Sequence, residues 1–123
     1  MNKKILICDD EEGIRESLKL ILSDYYNLIV TEGGPQALDI LGKNDDIGLL
    51  LLDIKMPKIH GLDILKQAKE KNPDLKVVMI TGYKSVETAS EAARLGASGY
   101  IVKPFDTQQI LETVQKIFPS QSQ

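Results

Sequence analysis

Two short apolar runs that each stop on carboxylates constrain this chain more than anything else in it. The first, Lys4-Ile5-Leu6-Ile7-Cys8, ends at Asp9-Asp10-Glu11-Glu12; the second, Ile47-Gly48-Leu49-Leu50-Leu51-Leu52, ends at Asp53. Continuous apolar runs of this length suit strands buried on both faces of a parallel sheet. In an open sheet of that kind, ligands bind beyond the carboxyl ends of the strands, where the strand order reverses. If the two runs are neighbours, Asp9, Asp10 and Asp53 meet in one crevice. Close carboxylates repel by about 4 kcal/mol per pair at an effective dielectric of about 20. The usual remedy is a hard divalent cation with oxygen ligands, most often Mg2+.

The rest of the chain alternates strand and helix patterns, which predicts an α/β fold with a mostly parallel sheet. Ile14, Leu18, Ile21 and Leu22 recur at helical spacing after the first strand. A second strand over 27–32 leads into Gly33-Gly34-Pro35, with Pro35 placed as the first residue of a helix carrying Ala37, Leu38 and Leu41. The helix after Gly61 buries Leu62, Leu65 and Ala68, and Asn72-Pro73-Asp74 stops it. A fourth strand spans 76–81, and a helix over 85–95 ends at Gly96 in the left-handed conformation. A short fifth strand, 99–102, precedes Asp106, which caps a last helix with Gln109 completing a capping-box-like pair. Five βα units result, one domain over residues 1–118. Residues 119–123 read as a frayed polar tail or the start of a linker.

Composition narrows the function classes. At 123 residues the chain is long enough to bury a real core. A net charge of −3 gives no support for direct nucleic-acid binding, which wants a basic face. No signal peptide precedes the first strand, and no apolar stretch approaches the roughly 20 residues of a membrane span. A cytoplasmic protein without membrane attachment is expected. Cys8, the only cysteine, excludes an internal disulfide and reads as a buried, inert thiol. His60, the only histidine, is expected to face solvent, because nothing positions a proton for it to take.

Four of the five strand ends carry chemistry: Asp9-Asp10, Asp53, Thr81, and Lys103 before Pro104. Together they offer metal ligands, a nucleophilic carboxylate, a hydroxyl donor and a cation, the parts that phosphoryl transfer needs. With these residues the chain resembles the receiver domain of bacterial two-component response regulators. The matching segments are Ile5-Leu6-Ile7-Cys8-Asp9-Asp10-Glu11, Leu52-Asp53-Ile54-Lys55-Met56-Pro57-Lys58-Ile59-His60-Gly61, Ile80-Thr81-Gly82-Tyr83 and Gly99-Tyr100-Ile101-Val102-Lys103-Pro104-Phe105. The stretch 83–105 is most similar to receivers of enhancer-binding transcription activators.

The resemblance implies a flavodoxin-like, doubly wound five-stranded sheet of order 2-1-3-4-5 with five helices. It implies that Asp53 takes a phosphoryl group from the phosphohistidine of a sensor histidine kinase or histidine phosphotransferase. Mg2+ would be held by Asp10, Asp53 and the backbone carbonyl of Lys55, with Asp9 acting through water. Lys103 would pair with Asp53 at rest and with a phosphoryl oxygen afterwards, and Thr81 would hydrogen-bond another oxygen. Tyr100 would be the aromatic switch residue, the bond before Pro104 would be cis, and Gly61 would relieve a strained backbone after Met56-Pro57. Such a protein is a regulator that catalyses only its own phosphorylation and dephosphorylation. Homodimer formation on phosphorylation and the output partner stay open.

Rival classes fit less well. A haloacid-dehalogenase-type phosphatase would want a second carboxylate where this chain has Lys55. A flavodoxin-like cofactor carrier needs a phosphate-cradling loop where four consecutive acids stand. An interaction module independent of phosphorylation would not need the complete set of site residues.

Overall fold

Five apolar runs become the strands β1 (Lys4–Cys8), β2 (Leu28–Thr31), β3 (Ile47–Leu52), β4 (Lys76–Thr81) and β5 (Gly99–Val102). They alternate with helices α1 (Glu12–Leu22), α2 (Gly34–Lys43), α3 (Gly61–Lys71), α4 (Val86–Arg94) and α5 (Thr107–Ile117). The computed structural model describes residues 3–55 and 60–120. Met56, Pro57, Lys58 and Ile59, part of one matching segment, lie outside the described residues, as do 121–123.

All strand pairings are parallel and the order is β2-β1-β3-β4-β5, as expected. Period-2 alternation divides each central strand between two apolar layers. Leu6, Leu50, Leu52, Val77 and Met79 face the side covered by Ala37, Ile64, Leu65, Ala68 and Ala92 from α2, α3 and α4. Ile5, Ile7, Leu49, Leu51, Val78 and Ile80 face Leu18 and Leu22 of α1 and Ile110 and Val114 of α5. The four leucines Leu49 to Leu52 are all but inaccessible to water. Truncating any one of them to alanine would cost about 2–5 kcal/mol. β3 is therefore a rigid mount for the residue that follows it.

Local signals set most element ends. Asp106 accepts from the Gln109 amide at 2.8 Å and Ser85 from that of Thr88 at 3.3 Å, so both helices start on a side-chain cap. The reciprocal half of the expected capping box, from the Gln109 side chain, is not among the hydrogen bonds of the described residues. Gly96 ends α4 at φ 106°. Helix α2 begins at Gly34, one residue before the expected Pro35. Ser120 donates to the Tyr25 carbonyl at 3.0 Å, so the expected frayed tail is tied down at its first hydroxyl.

Gly61 corrects an expectation. It does not have the positive φ that would demand glycine; among the described glycines only Gly96 does. Instead a Cβ at Gly61 would overlap the Asp53 carbonyl oxygen and the Ile54 Cα. The Gly61 amide donates to the Ile54 carbonyl at 2.7 Å, drawing the start of α3 against the end of β3. Close approach, not backbone strain, requires glycine there.

Candidate functional site

Register brings the predicted residues together. Cys8 pairs with Leu52 across β1 and β3, and the Asp53 amide continues the ladder by donating to the Cys8 carbonyl at 3.2 Å. Asp9, Asp10 and Asp53 each offer an oxygen within 4.8 Å of the others. They sit at the reversal of strand order between β1 and β3, where an open sheet leaves a crevice. Thr81 pairs with Val102, and the Lys103 amide donates to the Thr81 carbonyl at 2.8 Å, so the cation enters from β5. The Lys103–Pro104 bond is cis, as expected.

Asp53 is 4 % exposed, and its carboxylate accepts from the Lys55 amide and from Lys103 Nζ, both at 3.3 Å. Lys103 also reaches Asp9 at 3.0 Å and Glu11 at 2.6 Å. Burial alone would make the ammonium easier to deprotonate. Its bonds with Glu11 and Asp9 and the charges of Asp9 and Asp53 outweigh that and hold its pKa well above the ordinary lysine value. It is a fixed cation. Burial raises the Asp9 carboxyl from its ordinary value, against the downward pull of the Glu11 amide and Lys103. With an ammonium at 3.0 Å, the pair stays carboxylate and ammonium at neutral pH. Asp10 is exposed, the carboxylate of the three that points to solvent. Burial pushes the Cys8 thiol up to about 12, with the neighbouring acids adding to it, so the thiol stays protonated and inert.

Thr81 is fully buried, and its Oγ1 accepts from the Tyr83 amide at 3.3 Å. The carbonyl of that same Tyr83 accepts from the Tyr100 hydroxyl at 2.8 Å. Tyr100 is half-buried, and burial together with the charge of Asp53 raises its phenol pKa. Thr81 and Tyr100, paired by the sequence reading, are thus joined through the backbone of Tyr83.

Two participants were not legible in the sequence, and a third was read only in part. Glu11 reaches Lys103 across 92 residues of chain, a contact that no local pattern announces. Arg15, one turn further along α1, donates to the Asp9 carbonyl at 2.9 Å and holds the β1–α1 corner. His60 is exposed as expected, yet its Nδ1 accepts from the Leu62 amide at 3.3 Å and its ring stacks on Tyr83 with centroids 6.3 Å apart. Its place directly before the helix was the available signal for the cap.

With that geometry established, comparison with known proteins decides the family. Residues 5–115 match the model of the response regulator receiver domain. The chain belongs to that family. This receiver is 38 % identical to sporulation initiation phosphotransferase F of Bacillus subtilis, over 99 % of this chain and 98 % of that one. It is 35 % identical to the transcriptional regulatory protein ZraR of Escherichia coli, over 94 % of this chain but only 26 % of ZraR. Similarity to transcriptional regulators is therefore present, as read from the sequence, beside full-length similarity to a phosphotransferase. Among solved structures, a CheY-like receiver from Methanospirillum hungatei superposes with a TM-score of 0.88 at 33 % identity, covering 94 % of this receiver and 93 % of its own chain. A CheX–CheY–BeF3–Mg2+ complex from Borrelia burgdorferi does so at 0.89 and 29 % identity, covering 94 % and 89 %. No described helix of the receiver is long and apolar enough to cross a membrane.

Proposed function

We propose that this receiver accepts a phosphoryl group on Asp53 from the phosphohistidine of a sensor histidine kinase or histidine phosphotransferase. One observation carries the reading: a buried carboxylate at a strand end, 3.3 Å from a fixed ammonium and grouped with two further carboxylates. The relative named as a phosphotransferase and the neighbour solved with BeF3 and Mg2+ support it. An Asp53 oxygen attacks phosphorus, the bond from phosphorus to the donor imidazole nitrogen breaks, and the imidazole leaves with that electron pair. Lys103 balances charge on the transferred group. Thr81 accepts from the Tyr83 amide, which leaves its own O–H to donate to a phosphoryl oxygen.

The donor set fits a hard cation, being all oxygen and carrying more negative charge than Lys103 balances. Asp10, Asp53 and the Lys55 backbone carbonyl would hold Mg2+, with Asp9 acting through water. When bound, Mg2+ neutralises charge on an approaching anionic donor. In this reading the protein is a cytoplasmic regulator, not an enzyme that turns over a separate substrate. Residues 1–118 are the receiver unit and 119–123 its tail or the start of a linker.

With acetyl phosphate or a phosphohistidine donor and Mg2+, peptide mass spectrometry should place one acyl phosphate at Asp53. Asp53→Asn should abolish labelling, and chelating the metal should stop it in the unaltered protein. Stoichiometric labelling that persists in Asp53→Asn would sink the assignment.

A further inference from the structure

Glu11 occupies the N-cap position of α1 but makes no capping hydrogen bond with its side chain. Its carboxylate, 60 % exposed, goes instead to Lys103 at 2.6 Å, the shortest of the three bonds that the ammonium makes. An ammonium has three N–H donors. Here all are committed, to Glu11, Asp9 and Asp53. A phosphoryl group on Asp53 frees only the donor that Asp53 held, the longest of the three, and brings several anionic oxygens that also compete for the donors on Asp9 and Glu11. The Asp9 carboxylate is 3 % exposed and is also held by the Glu11 amide at 2.9 Å, so it cannot withdraw. Glu11 has no other side-chain partner among the described residues and faces water.

We infer that Glu11 is a positioning residue that competes with the phosphoryl group for Lys103, holding the ammonium at rest and releasing it on phosphorylation. This rests on the phosphoacceptor reading and adds to it a resting-state brake. An exposed acid one residue from the proposed metal ligand Asp10 thereby lowers the affinity of the site for the group it is built to bind. Losing the brake should strengthen binding by about two- to fivefold, the worth of a partly exposed ion pair.

The test uses beryllofluoride, a mimic of the phosphoryl group, titrated at saturating Mg2+ and followed by amide NMR. Glu11→Gln should bind it about two- to fivefold more tightly and should lose acyl phosphate correspondingly more slowly. Glu12→Gln removes the same charge one residue along, where no ion pair with Lys103 exists among the described residues, and should stay near the starting affinity. Glu11→Asp keeps the charge but favours capping its own helix, and should behave like Glu11→Gln. A matching displacement of the Lys103 ammonium resonance in both Glu11 variants, absent from Glu12→Gln, separates loss of the contact from loss of charge. Equal affinities in all four proteins, or equal gains in Glu11→Gln and Glu12→Gln, would overturn the inference while leaving the phosphoacceptor reading intact. No binding by any of them would overturn both.

Discussion

Lys55 and Tyr83 lie in two different loops, one following β3 and the other following β4, and similarity to other receivers implies that their side chains screen Asp53. Hydrolysis of an acyl phosphate at Asp53 needs water in line opposite the leaving carboxylate oxygen. Neither side chain offers a carboxamide or carboxylate to orient that water, and both are long enough to obstruct it. The stack of Tyr83 on His60 narrows the tyrosine's freedom further. Combining Lys55→Asn with Tyr83→Ala should therefore speed loss of the phosphoryl group several-fold, measured by release of label after the donor is removed. His60→Ala should act in the same direction but less, since it only loosens Tyr83. Unchanged or slower decay in the double variant would count against screening. Site residues that close a strand, such as Asp53 and Thr81, were legible because strand ends are marked by a change in polarity. Glu11 and Arg15 were not, because their partners are set by where loops meet in space.

At the scale of elements, two hydrogen bonds through the Tyr83 backbone connect the end of β4 to β5. Thr81 closes β4, Tyr83 bonds both Thr81 and Tyr100, and Tyr100 lies in β5. A phosphoryl group that draws the Thr81 hydroxyl toward it must disturb the Tyr83 amide, and through the Tyr83 carbonyl the Tyr100 ring. Shifting a two-state balance from 1:99 to 99:1 takes about 5.5 kcal/mol of differential binding. Charge-assisted hydrogen bonds of about 1.5–3 kcal/mol each supply much of that. Thr81→Ala should still take phosphate on Asp53, yet amide shifts induced by beryllofluoride should no longer spread through residues 82–106. Spread as wide as in the unaltered protein would remove Thr81 from the relay. Element ends followed sequence best where a chemical stop exists: β4, β5 and the Gly96 turn fall where expected. Helix α2 started a residue early, since Gly34 ahead of Pro35 is itself free to take helical angles.

Across the whole molecule, the doubly wound architecture was legible because each central strand carries two apolar faces, which only helices on both sides can cover. What no periodicity could reveal is how the chain closes on itself. Tyr26, just after α1, donates its hydroxyl to the Phe118 carbonyl at 2.6 Å, and the two rings stack with centroids 5.7 Å apart. That contact joins the end of α5 to the turn before β2, 92 residues apart. Burial raises the Tyr26 phenol pKa above its ordinary value. A group whose folded pKa is raised contributes stability that is complete below its unfolded value, about 10 for tyrosine. That contribution is lost as pH rises through the folded value. Tyr26→Phe should thus be less stable than the unaltered protein by about 1 kcal/mol near neutral pH, the worth of one hydrogen bond. Above a pH of about 10 the gap should narrow, because ionisation costs the tyrosine protein what the phenylalanine protein never had. Denaturant titrations of both proteins at a series of alkaline pH values measure it. A gap that stays constant, or widens, would mean that the Tyr26 hydroxyl is not the group whose burial links the two ends of this fold.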